Sequence, residues 1–268
     1  MHVNPLPSLI FTTVLVVGIM AVPQVGFAEG DAGAVKLNIG GIEQEGGVIK
    51  GIVKFEGKQK SQKKLRVDAD PVCANHHPSG KPLLQETYVF GKNDTLQNVF
   101  VYVSANLPGK QYDVPNKPAK LDQVGCQYVP HVSGIMVNQP LEIHNSDPTS
   151  HNVKLNSKKN GRENQSMTKK GQVLHRTFRK AESPVEFKCD VHPWMAAYLH
   201  VMDHPFFAIT QGDGTFEIRG LPPGEYEISV WHELKAFKPD AGSKSVAVSM
   251  GESAEVVFTF SPPKKKKK

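Results

Sequence analysis

The chain has 268 residues, 39% of them hydrophobic and 22% charged, with a formal net charge of +6. Lys264 to Lys268 supply five of those six charges, so the body is nearly neutral, and no nucleic-acid partner is expected. Walker loops, dinucleotide fingerprints, HExxH motifs and Gly-x-Ser-x-Gly elbows are all missing, which removes support for a hydrolase.

Leu9 to Val22 is an apolar run too short to make a good membrane span. Gly26 and Ala28 then offer small residues at the −3 and −1 positions of a cleavage site. Residues 1–28 are therefore expected to be a signal peptide cleaved before Glu29. The leading segment carries His2 but no Lys or Arg, so an uncleaved N-terminal anchor is the alternative. Both readings export the body to the periplasm or the cell surface. Residues 29–46 are expected to be a flexible leader.

Three cysteines follow, an odd number for an oxidising compartment. Cys73 and Cys126 sit in polar, loop-like surroundings, whereas Cys189 lies in a turn containing His and Met. A Cys73–Cys126 disulfide would close a loop of about 54 residues and contribute roughly 4 kcal/mol on the chain-entropy estimate. Cys189 would remain a free thiolate for a metal.

No long stretch has helical periodicity. Short runs with period-two alternation dominate, among them GGVIKGIVKF, NVFVYVS, GIMVNQPLEIHN, PVEFKC, TFEIRG, EYEISVWH and EVVFTF. Twenty prolines and twenty-three glycines separate them, which predicts an all-β chain of sandwiches. Residues 47–123 form a β-rich N-terminal region, with a polar, Lys-rich part at 58–96 and a Pro- and Lys-containing connection at 105–123. Residues 154–180 carry nine Lys and Arg residues against Glu163 alone, a basic excursion suited to steering an acidic partner. A composition break follows Asp203-His204-Pro205.

Cys189-Asp190-Val191-His192-Pro193-Trp194-Met195 is the most informative segment. A metal that cycles between cuprous and cupric forms wants soft sulfur together with imidazole, and a His₂Cys set with a weak axial Met supplies both. One tight turn can aim Cys189 and His192 at a single ion, and Met195 falls three residues further on. His151, in Ser150-His151-Asn152-Val153, is the candidate for the second imidazole. Cys-x2-His alone could equally belong to zinc. His76, His77, His131, His144, His175, His200, His204 and His232 are assigned surface or hydrogen-bonding roles, and Met167 and Met202 packing or surface roles.

At these residues the sequence resembles the cupredoxin, or blue-copper, family. CDVHPWM is similar to the short ligand loop of amicyanin, and SHNV to the first-histidine segment of amicyanin and plastocyanin. The resemblance covers roughly residues 124–203. It implies a Greek-key sandwich holding one copper ion through His151, Cys189, His192 and Met195, with Asn152 bracing the loop near the thiolate. It also implies that His192 turns an edge toward solvent as the electron's exit, inside an apolar rim formed by Pro193 and Trp194. Trp194 as a core residue shielding the metal is the competing reading. Ser150 departs from the Pro usual at that position.

Residues 204–261, with the GDGTFEIRGLPPGEYEI hairpin, resemble the carboxypeptidase regulatory-like, transthyretin-type β-sandwich. That family usually opens with a strand such as Gly51-Ile-Val-Lys-Phe55, which lies far upstream here. Insertion of the copper domain into this second sandwich is therefore an open alternative. Residues 262–268 form a polybasic tail suited to an anionic membrane or cell surface. The function implied is single-electron exchange with a redox protein partner, without an enzymatic reaction of its own. Copper transport without redox cycling, and a copper-free surface module, are the alternatives.

Overall fold

A computed structural model describes residues 36–39, 42–77, 81–109 and 111–263. The expected signal peptide at 1–28 and the lysines at 264–268 lie outside the described residues. Among the described residues, no helix is long and apolar enough to cross a membrane.

The chain opens with β1 (Lys36–Ile39), β2 (Ile42–Glu45), β3 (Gly47–Phe55), the short helix α1 (Pro71–His76) and β4 (Phe100–Ala105). Next come β5 (Ala119–Val124), β6 (Gln127–Val129), β7 (Val132–Met136), β8 (Pro140–Asn145) and β9 (His151–Asn156). They are followed by β10 (Arg162–Met167), β11 (Val173–Thr177), β12 (Glu182–Lys188) and β13 (Ala196–Met202). The last group is β14 (Phe207–Ile209), β15 (Thr215–Leu221), β16 (Gly224–Trp231), β17 (Lys238–Pro239), β18 (Ser243–Val248) and β19 (Ser253–Ser261). The all-β expectation holds. Three local expectations change. Part of the leader pairs as the β1–β2 hairpin, the 105–123 connection ends in strand β5, and the basic excursion folds into β10 and β11.

Two sandwiches account for the rest of the sheet structure. One packs sheet β14-β4-β16-β18 against sheet β15-β3-β19-β17. Its core alternates as the sequence does: Val256, Phe258 and Phe260 of β19 point inward beside Ile49 and Val53 of β3, facing Tyr226 and Ile228 of β16. The other packs sheet β10-β9-β12-β13-β7 against sheet β11-β8-β5-β6. Leu121, Leu141 and Ile143 meet Val153, Leu155, Phe187 and Leu199 in its core.

The chain thus begins the first sandwich with β3 and β4, builds all of the second from β5 to β13, and returns to complete the first. A third apolar cluster joins the two, with Phe100 from one sandwich against Val132 and Met202 from the other. His200, on β13, stacks on Phe100 with ring centroids 3.8 Å apart and meets Trp231 edge-on at 4.6 Å. His131, His200, His204 and His232 are all buried and each makes a side-chain hydrogen bond, so of the surface or hydrogen-bonding roles expected for them the second holds and the first is corrected. A lone histidine carries no periodic signature that would distinguish an interior site. Met167 and Met202 are buried packing residues.

Candidate metal centre

His151 opens β9, while Cys189 and His192 lie in the loop between β12 and β13. Tyr128 ties the strands beneath them, its hydroxyl lying 2.9 Å from the Asn152 carbonyl oxygen and 3.2 Å from that of Lys188. The ligand loop closes on itself: the Met195 N–H donates to the His192 carbonyl at 2.9 Å, and the Cys189 N–H to the Met195 carbonyl at 3.3 Å.

One ligand atom from each of His151, Cys189 and His192 falls within 4.8 Å of the others, and all three residues are buried. The two Nδ1 atoms lie 2.9 Å apart, and Cys189 Sγ is 4.0 Å from His192 Nδ1. Met195 is 2% exposed and packs in the same apolar cluster as Cys189. The four residues singled out by sequence thus sit in one loop-and-strand corner, three of them with converging donor atoms.

Each imidazole presents Nδ1 inward because its Nε2 is engaged outside. His151 Nε2 donates to Asp147 Oδ2 at 3.0 Å, and His192 Nε2 donates to Asp70 Oδ2 at 3.0 Å. With both Nε2 atoms engaged outside, the two Nδ1 atoms face one another and the sulfur, where they can share either a proton or a metal ion. The donor set therefore fits a thiolate-and-imidazole metal.

The charge balance is consistent. Burial alone would raise the Cys189 thiol, but hydrogen bonds from His151, His192 and backbone N–H groups bring it down to about 6. Burial would lower His151, yet Asp147 and Cys189 push it up to about 9. The His192 N–H donates to Cys189 Sγ at 3.4 Å.

Asn152 contacts both the Cys189 sulfur and the loop that follows it. Its Oδ1 lies 3.3 Å from Cys189 Sγ and accepts the N–H groups of Asp190 at 2.7 Å and Val191 at 3.3 Å. Its Nδ2 is fixed by Asn164 Oδ1 at 2.6 Å. Trp194 is half-buried, its ring 5.1 Å from that of His192 and its Nε1–H donating to the Cys126 carbonyl at 3.0 Å. Its neighbours Val191 and Pro193 are exposed.

The solvent-facing edge expected for His192 is corrected, because this residue is only 2% exposed. Helix α1 and the residue that caps it lie over it, fastened by the expected disulfide between Cys73 and Cys126. Cys73 Sγ comes within 3.6 Å of His192 Nε2.

Two residues missed from sequence, Asp70 and Asp147, complete the site. Asp147 is held by the tight turn between β5 and β6, where Gly125 and Cys126 both have positive φ (63° and 58°). That primed turn directs two N–H groups at one carboxylate, at 2.7 and 2.8 Å. Two further ligand-like groups, Asp70-Cys73-His192 and Cys126-Asp147-His151, each contain half of the disulfide. Their sulfurs cannot serve as thiolates, so these groups are the surroundings of the two histidines.

No protein-family model matches the chain, and no curated protein does. Among solved structures, it is similar to a purple cupredoxin from Nitrosopumilus maritimus, at 18% identity over 31% of this chain and 98% of that one, with a TM-score of 0.27. A cuprous form of an amicyanin mutant matches at 20% identity over 38% of this chain and 97% of that one, with a TM-score of 0.29. A copper-containing nitrite reductase from Thermus scotoductus matches at 23% identity over 36% of this chain, with a TM-score of 0.28; the match spans 24% of the reductase.

Proposed function

We propose that this is an exported mononuclear copper protein that passes single electrons to or from a redox partner, and that it is not itself an enzyme. The observation that carries this reading is the buried convergence of His151 Nδ1, His192 Nδ1 and Cys189 Sγ, with both Nε2 atoms committed to carboxylates. His151, Cys189, His192 and Met195 would hold the ion. Copper supplies a one-electron couple whose two states both tolerate this soft-and-borderline donor set.

The chain's own residues do the rest. The Asn152 bridge and the closed 189–195 loop hold the thiolate in place through a change of metal charge. The apolar packing of Met195 and Trp194 excludes water. The disulfide fits an oxidising compartment, which supports export.

The other sandwich, drawing strands from 47–105 and 207–261, is proposed as a structural module of the carboxypeptidase regulatory-like type, on the strength of its turn motifs. Lys158, Lys159, Lys169, Lys170, Arg179 and Lys180 are proposed to steer an acidic partner. Lys154 and Arg176 are less available, being paired with Asp190 and Glu163. Contact of the Lys264–Lys268 tail with an anionic surface belongs to the same proposal.

The covered His192 favours a second reading, in which copper is held tightly without rapid exchange with a protein partner. Adding cupric ion to the purified protein tests the main one. An intense charge-transfer band in the red part of the visible spectrum, lost in Cys189→Ser, is expected. Cuprous binding without that band supports the second reading, and loss of copper on dialysis overturns both.

A further inference from the structure

The concealment of His192 is a built feature. Asp70 caps helix α1 through Oδ1, which accepts the Val72 N–H at 2.7 Å. Its Oδ2 accepts from Thr149 Oγ1 at 2.7 Å and from His192 Nε2 at 3.0 Å. The carboxylate is thus fixed from both sides before it meets the imidazole. Asp147 is fixed in the same way by the Gly125 and Cys126 N–H groups before it meets His151. The segments that hold the two carboxylates are joined by a disulfide: Cys73 lies three residues beyond Asp70, and Cys126, whose N–H donates to Asp147, is its partner.

We propose that Asp70 is a positioning residue for His192, matched by Asp147 on His151, and that the Cys73–Cys126 bridge locks both carboxylates into one clamp that favours the cupric state. The proposal rests on the copper reading above. A carboxylate on the outer nitrogen fixes the tautomer and ring plane, makes the inner nitrogen a better donor, and places negative charge nearer the more positive ion. The same segment closes the His192 edge, so a redox partner would meet the loop at Val191, Pro193 and Trp194.

The test is a redox titration of the copper-loaded full chain, comparing wild type with Asp70→Asn and Asp190→Asn. Asn still caps helix α1 through its one oxygen, so the fold is kept while the charge and the acceptor for His192 Nε2 are both lost. The Asp190 carboxylate belongs to the ligand loop but meets Lys154 and Asn164 and no ligand imidazole, which makes it the control for a lost charge that does not position a histidine. Asp70→Asn is expected to shift the cuprous-to-cupric ratio toward cuprous about tenfold, equivalent to ~59 mV for one electron, with a smaller shift for Asp190→Asn. An unchanged potential in Asp70→Asn, or equal shifts in the two variants, overturns the proposal.

Nitrogen-15 NMR of the metal-free protein separates this from the copper reading. A slowly exchanging His192 Nε2 proton, lost in Asp70→Ala, supports the clamp even if no blue band forms with copper. Absence of that proton in wild type overturns the clamp whatever the copper result.

Discussion

His200 makes the junction between the sandwiches sensitive to acid, by an amount that can be worked out. Its ring is fully buried between Phe100 and Trp231, with no charged group against it. Nδ1 pairs with Ser183 Oγ at 2.6 Å, while Nε2 has no hydrogen-bond partner. Burial lowers its pKa from 6.5 to about 3. The folded state therefore refuses a proton that the unfolded state takes up below 6.5. Stability is fully present above that value and declines as pH falls toward the folded value. At pH 5 the deficit is about 1.5 pH units at 1.36 kcal/mol each, or about 2 kcal/mol.

His200→Phe removes the titrating group and its orphaned nitrogen while keeping a ring against Phe100; the exposed Ser183 hydroxyl can turn to water. Urea unfolding at pH 7.5 and pH 5.0 should show wild type losing about 2 kcal/mol more than the variant between the two conditions. His204 and His232 are also lowered by burial and titrate in both proteins, so they cancel in the comparison. Trp231 fluorescence reports the junction directly. Equal pH dependence in the two proteins would refute the argument. His200→Leu repeats the test if the larger Phe strains the site.

Glu182→Gln should cost about 2 kcal/mol at neutral pH, because Glu182 accepts from Ser157 Oγ and the Lys158 N–H at 2.6 Å each and from the Lys159 N–H at 3.1 Å. Burial opposes these bonds, but they win and hold the carboxyl below 4.5, so the penalty should fade in acid as wild type protonates; thermal melts at pH 7 and pH 3 check this. Reduction of the disulfide, or Cys73→Ser with Cys126→Ser, should cost about 4 kcal/mol by the chain-entropy estimate and increase hydrogen exchange at 68–77 before the sheets; uniform exchange would count against local release. Glu233→Gln should weaken the His131 ion pair, 3.0 Å long and nine-tenths buried, by about 3 kcal/mol, read by chemical denaturation; a loss under 0.5 kcal/mol would mean His131 is neutral there.

The parts legible in the sequence were those set by short-range rules. Alternation in Thr215–Ile218 or Val256–Phe260 fixes which residues face a core, because one face of each strand is buried. Cys189, His192 and Met195 were legible because a single turn can bring them together. Asp70 and Asp147 were not. Each has a local job, as helix cap and as turn acceptor, and the Asp70-Pro71 pair is an ordinary helix-start signal. Nothing within a few residues of Asp70 indicates that its other oxygen meets His192, 122 positions away. The same limit hid the burial of His131 and His200, whose partners Glu233 and Phe100 come from the other sandwich.

That missing information accounts for the change in the picture of the site. The ligand loop is not a free rim at one end of a sandwich. Trp194 is tied to the disulfide turn through the Cys126 carbonyl at 3.0 Å. Just beyond Met195, the Ala196 carbonyl accepts from His131 Nδ1 at 3.1 Å, and His131 Nε2 donates to Glu233 at 3.0 Å. Two donated bonds make His131 an imidazolium: burial works against the charge, but the Glu233 carboxylate outweighs it and raises the pKa. The loop is therefore braced within its own sandwich at Cys126, by the cap of helix α1 through Asp70, and by the surrounding sandwich through Glu233. Insertion of β5 to β13 between β4 and β14 makes this possible, since Asp70 and Glu233 both come from outside the inserted stretch. The first sandwich thus supports the candidate metal centre, and cutting it away would strip the loop of support as surely as it would expose Val132 and Met202.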